Sequence, residues 1–132
     1  MSNAHDTLIG QVPSHLVKSA HLQLTAYEGR VAEFNVAAWL QLPGQANNLV
    51  SLLVSYLDGG RRREVNLDHA KVSAHGKILL SGIARLPVKQ RIEDMQVRLR
   101  AAAPKVEVVV EELFVQAVEP AQAQDDSRQA NG

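Results

Sequence analysis

The chain has 132 residues, enough for one domain with a substantial core. Its 14 basic and 14 acidic residues cancel, which removes the electrostatic footprint of a general nucleic-acid binder. It has no cysteine, so disulfides and thiol chemistry are excluded.

Residues 1–15 read as a flexible lead-in. The opening "MSNAHDTLIG" has neither a basic n-region nor a long apolar h-region, so no signal peptide is read there. On that reading the chain is cytoplasmic; as an excised domain, or with leaderless export, it is extracellular. No apolar run approaches the ~18 residues of a membrane span, and no membrane partner is expected. "SHLVKSAHLQL" is the one helical competitor, with Ser14 as its cap, but Leu22 and Leu24 fit a strand, "HLQLTAY", better.

Strands then follow at short intervals. "VAEFNVAAWLQL" is closed by "PGQANN", and "LVSLLVSYL" by the turn signal "DGG". "RREVNL" and "AKVSA" predict two weaker strands before the tight turn "HGK". "ILLSGIARL" is followed by Pro87, "EDMQVRLRA" leads into "AAPK", and "VEVVVEELFV" closes the series. Short strands with Gly and Pro in the turns predict an all-β, jelly-roll-like sandwich of two antiparallel sheets over residues 16–116. Aromatics are only 4% of the chain against 45% hydrophobic residues, so the core must be mostly Val, Leu, Ala and Ile. Residues 117–132 lack an apolar period and read as a disordered tail.

Alternation assigns faces. Phe34, Val36, Ala38 and Leu40 share one side of their strand; Glu33, Asn35, Ala37, Trp39 and Gln41 share the other. Met95, Val97 and Leu99 oppose Gln96, Arg98 and Arg100. If these strands lie in one sheet, Asn35, Trp39, Gln41, Ser81, Arg85, Gln96, Arg98 and Arg100 form a single polar platform around the only tryptophan. An indole stacks on the C–H face of a sugar, while amides and guanidinium groups bond its hydroxyls or carboxylates. The competing reading covers Trp39 with a loop or the other sheet. Leu53, Leu57, Leu79 and Ile83 on the same presumed face suggest partial burial against a loop, a second copy or a partner protein.

The order of "FNVAAWLQLPG", "VSLLVSYLDGG", "KVSAHGKILLSGIARLP", "MQVRLRA" and "VEVVVEELFV" resembles jelly-roll carbohydrate-binding modules of families 4, 9 and 22, which accompany xylanases and cellulases. Tyr56, Asp58 and Gly59 match the family's Tyr-x-Asp-Gly element; Ser81, Gly82 and Pro87 match its Ser-Gly strand before a turn proline; Glu111 and Glu112 stand where it has paired aspartates. The resemblance covers about residues 20–116. It implies a non-catalytic module binding a polysaccharide or oligosaccharide, with Trp39 stacking and Gln96, Arg98 and Arg100 as polar partners. The chain departs from the pattern in having one cleft aromatic, His75-Gly76-Lys77 in place of an aromatic turn, and no recognisable first strand. Without that strand Glu111 and Glu112 are poor evidence for calcium. The arginines suit an acidic polysaccharide better than cellulose.

Other constellations are weaker. His5, His15, His21, His69 and His75 lack metal-ligand spacing, and no metal or cofactor is expected. Asp68, His69 and Ser73 are close in sequence, but a triad is a matter of geometry. Nothing selects two of Glu28, Glu33, Glu64, Glu93 and Glu107 for glycoside hydrolysis, and the chain is not read as an enzyme. The arginines of "GGRRREV" mark an anion site or, more simply, a solvated strand start. Two functions follow: a glycan-binding module, or a protein-interaction or oligomerisation module using Trp39, Leu53 and Ile83.

Overall fold

Period-two alternation does sort most of the chain into strands with one buried side. The computed structural model describes residues 5–27, 29–102 and 106–118. Among these residues, eight strands and one short helix run in the order β1 (His5–Gln11), α1 (Ser14–Lys18), β2 (Gln23–Thr25), β3 (Gly29–Gln41), β4 (Leu49–Asp58), β5 (Arg61–Lys71), β6 (Lys77–Val88), β7 (Ile92–Ala101) and β8 (Val109–Ala117).

Two antiparallel sheets pack together as an all-β sandwich. Sheet A has the order β1-β7-β4-β5. In sheet B, β3 pairs with β6 along one edge; β2 and β8 pair with successive stretches of its other edge. The winding is nested. β4 pairs with β5 and β3 with β6, then β7 returns to lie between β1 and β4, and β8 returns to β3. Phe34, Val36, Ala38 and Leu40 of β3 and Leu80, Ala84 and Leu86 of β6 face Leu52, Val54 and Tyr56 of β4 and Met95, Val97 and Leu99 of β7. These interdigitating side chains are the core.

Several expectations are corrected. The lead-in of residues 1–15 contains β1, which pairs with β7 from His5 to Gln11. Its apolar signal is short, Leu8 and Ile9 only, and its partner lies at the far end of the chain. Residues 14–18 do form a helix, leaving only Gln23–Thr25 of "HLQLTAY" as strand. "RREVNL" and "AKVSA" merge into β5, whose register shifts between Leu52 and Leu53 of β4, so that Leu67 is an extra residue. β6 runs through Pro87, opposite Val31. Because, among the described residues, β6 pairs with β3 alone, a residue without an N–H is tolerated there. β8 extends to Ala117, and Val118 N–H bonds the Glu33 carbonyl at 2.9 Å, which moves the folded boundary past 116. The predicted tail beyond residue 118 lies outside the described residues.

Candidate functional site

The outer face of sheet B holds Trp39. Across its strand rows, Trp39 lies opposite Leu79 of β6 and Glu112 of β8. One row on, Ala37 lies between Ser81 and Phe114; the next sets Asn35 between Ile83 and Gln116. Trp39 is 39% exposed, Phe114 43%, Leu79 49% and Ile83 58%. The covered reading of Trp39 is therefore wrong within the described chain. The small side chain of Ala37 leaves an open hollow of about 270 Å³ lined by Asn35, Ser81, Ile83 and Phe114. Trp39 and Phe114 are diagonal neighbours on adjacent strands, about 7–8 Å apart by ordinary sheet geometry. Gln41 shares the face and donates from Nε2 to Glu111 Oε2 at 2.6 Å. Arg85 closes the far end, donating to Glu33 Oε2 at 2.6 Å.

The expected single platform divides between two surfaces. Asn35, Trp39, Gln41 and Arg85 are together. Gln96, Arg98 and Arg100 are on β7, on the outer face of sheet A, with the core between them and Trp39. Alternation reports which residues point outward, but both outer faces of a sandwich have the same period. Leu53 is also on the sheet A side, opposite Arg98, and is fully buried there, so it cannot join Trp39 and Ile83 in one contact.

The sheet A arginines serve a network of their own. Arg100 bonds Asp6 through Nε at 2.7 Å and Nη2 at 2.9 Å, and Glu64 through Nη1 at 3.0 Å and Nη2 at 3.1 Å. These charge-assisted bonds strengthen the protonated form. Arg98 donates to Gln96 Oε1 at 2.9 Å and lies 4.0 Å from Asp6. Arg62 pairs with Asp94, which also accepts from Gln11 at 2.8 Å. Those bonds, Arg62 first, hold the Asp94 carboxyl below the usual carboxylate range. Asp94 has φ of 49° where β7 is irregular, a turned backbone that suits a short polar residue. Three guanidinium groups thus meet three carboxylates, and this face carries no excess charge for an acidic polymer.

At the end of the sandwich, Asp58 joins the β4–β5 turn to the β6–β7 loop. It accepts from the Lys89 and Gln90 N–H groups at 2.8 Å each and from Arg63 Nη1 at 3.0 Å. Tyr56 beside it donates to the Pro87 carbonyl at 2.8 Å. The Tyr-x-Asp-Gly sequence is thus an internal clamp. Of the "GGRRREV" arginines, Arg62 and Arg63 are tied to Asp94 and Asp58, and Arg61 lines an open hollow of about 580 Å³ with Lys89 and Gln90.

Leu79 and Ile83 lie on the Trp39 face as expected, Ile83 in reach of the apolar contact read for it, whereas Phe114 completes the face and was outside the expected set. Phe114 was legible in the alternation of Glu112, Phe114 and Gln116 against Leu113 and Val115. Among the described residues, no group of three or more His, Asp or Glu is placed to hold a metal, and no helix is long and apolar enough to cross a membrane. No protein-family model, curated protein or solved structure matches this chain.

Proposed function

We propose that the chain is a non-catalytic interaction module whose working surface is the outer face of β3, β6 and β8, and that the surface takes an apolar patch of a partner protein. The observation that supports this reading is the set Trp39, Leu79, Ile83 and Phe114, four large apolar side chains exposed on one face. Exposed apolar patches rimmed by polar residues are typical of protein contacts, and a Trp at the centre is a common anchor. Arg85–Glu33 at one end and Lys77, opposite Gln41, at the other supply the polar rim.

A glycan is the second reading. Trp39 and Phe114 offer two aromatic rings, flanked by the amides of Asn35 and Gln116. Its acidic-polysaccharide form has less support, because Arg98 and Arg100 lie on the opposite face and Arg85 is paired.

The test is binding of an anilinonaphthalene sulfonate dye to the folded protein, read by energy transfer from Trp39. Transfer that disappears in a folded Leu79→Ser, Ile83→Ser double variant is the expected result. A folded protein that takes up no dye overturns the reading. A Trp39 emission shift induced by one oligosaccharide and unchanged in the double variant assigns the face to the glycan.

A further inference from the structure

Among the described residues, the two sheets of the sandwich differ in width. Sheet A has all four of its strands. Among the described residues, sheet B has three strands across any line, because β2 and β8 share one edge of β3. Its two outer edges differ. The β6 edge is covered by β5: Asp68 Oδ2 accepts the Ser81 N–H at 3.0 Å, and a Cβ added at Gly82 would lie 2.9 Å from the Leu67 carbonyl oxygen. Among the described residues, β8 pairs with β3 alone. β1 and the short helix α1 come near β8 without pairing with it, Gly10 lying against the Leu113 side chain.

The β8 edge is also regular where it matters. Trp39 pairs with Glu112 and Leu40 with Val110, so Glu111 is a bulge residue that ends the even register. Glu112–Ala117 follows without proline or lysine, and with Glu112 at its start as its one charged residue.

We infer that this edge pairs with the same edge of a second copy of the chain, antiparallel about a two-fold axis, so that two three-stranded sheets become one of six. The register inferred is the one centred on Phe114. Residues opposite each other must lie on the same side of the pleat, so the axis passes through a residue pair. Centring on Glu112 sets like charges together, which is destabilising. Centring on Phe114 sets Phe114 opposite its own copy, Glu112 opposite Gln116 and Leu113 opposite Val115, all inside the regular stretch. The outer row is then an aromatic pair flanked by carboxylate–amide contacts, and the inner row is apolar. Such an isologous contact closes on itself and leaves no free edge to propagate. It also joins two Trp39 faces on one surface, with the two β3 strands three spacings, about 14 Å, apart. The edge pairing is independent of what the outer face binds.

The test is sedimentation equilibrium of the natural chain from micromolar to millimolar concentration, with hydrogen exchange followed across the same range. Expected are a monomer–dimer equilibrium and slowing of β8 amide exchange as the dimer forms. Because the chain has no cysteine, a Phe114→Cys variant carries a single thiol. A short bis-maleimide should cross-link that variant and not an Ile83→Cys variant. Phe114→Lys, at an exposed position, should keep the strand signature in circular dichroism and weaken the dimer at least tenfold. A monomer at every concentration overturns the inference. So does a dimer that cross-links through Ile83→Cys, or one whose β8 exchange is independent of concentration. The exchange measurement uses the natural chain and decides the matter even if substitution at Phe114 disturbs pairing.

Discussion

Replacing Asp58 with alanine should cost about 3 kcal/mol of folding free energy. The carboxylate is nearly buried and accepts two backbone N–H bonds of 2.8 Å and one guanidinium bond of 3.0 Å. A hydrogen bond to a charged group contributes about 1.5–3 kcal/mol. The Arg63 side chain is 34% exposed and can turn to water, so the two backbone bonds dominate the loss. For a chain of this size, that loss lowers Tm by about 10 °C. Asp58→Asn keeps one acceptor oxygen and should lose about half as much. Burial pushes the Asp58 pKa up, but the Lys89 and Gln90 N–H groups, Arg63 and the Arg91 N–H outweigh it and hold the carboxyl below its ordinary value. A group with a lowered folded pKa stabilises fully above its unfolded pKa, about 3.9, and loses that contribution as pH falls through the folded value. The stability gap between the natural chain and Asp58→Asn should therefore be constant above about pH 5 and shrink below about pH 4. Urea unfolding at a series of pH values measures it. A loss under about 1 kcal/mol for Asp58→Ala, or a gap that ignores acidification, refutes the clamp.

Other outcomes follow from the same geometry. Trp39 emission should be red-shifted and readily quenched by acrylamide, since the ring is 39% exposed; a blue-shifted, protected signal in the monomer contradicts the exposed face. Arg98→Ala and Arg100→Ala should leave every ligand response of Trp39 unchanged, because both arginines lie on the other sheet. Arg100→Ala should also cost about 1–2 kcal/mol, less at high salt, by releasing Asp6 and Glu64; denaturant titrations at two ionic strengths check it. Gly82→Ala forces a methyl group against the Leu67 carbonyl and should destabilise by about 1–3 kcal/mol, with faster amide exchange in β5 and β6.

The inner and outer residues of β3, β4 and β7 were legible because one buried side gives a clear two-residue period. Sheet membership was not legible. Trp39 and Arg98 both point outward, and only the pairing of β7 with β1 and β4 places Arg98 on the far surface. β1 was hidden because its partner begins at residue 92, too distant for local pattern to reveal. Asp58 and Gly59 signalled a turn, whereas the clamp depends on a β6–β7 loop about thirty residues on, a separation invisible to turn chemistry. Leu53 shows the limit of counting apolar residues: it is buried on an outer face beneath a charged network.

The position of β7 between β1 and β4 sets the order of events during synthesis. His5 finds its partner only when Ala101 exists, and β3 gains β8 only after residue 109 has been made. A ribosome releases the chain from its N-terminus at about 5–20 residues per second, so β1 waits several seconds for its neighbour. Sheet A has all its strands only once residue 101 has been made, and sheet B only once residue 117 has. The domain should fold late and as one cooperative unit, slowly for its length, because nearly every pairing that closes it spans much of the chain.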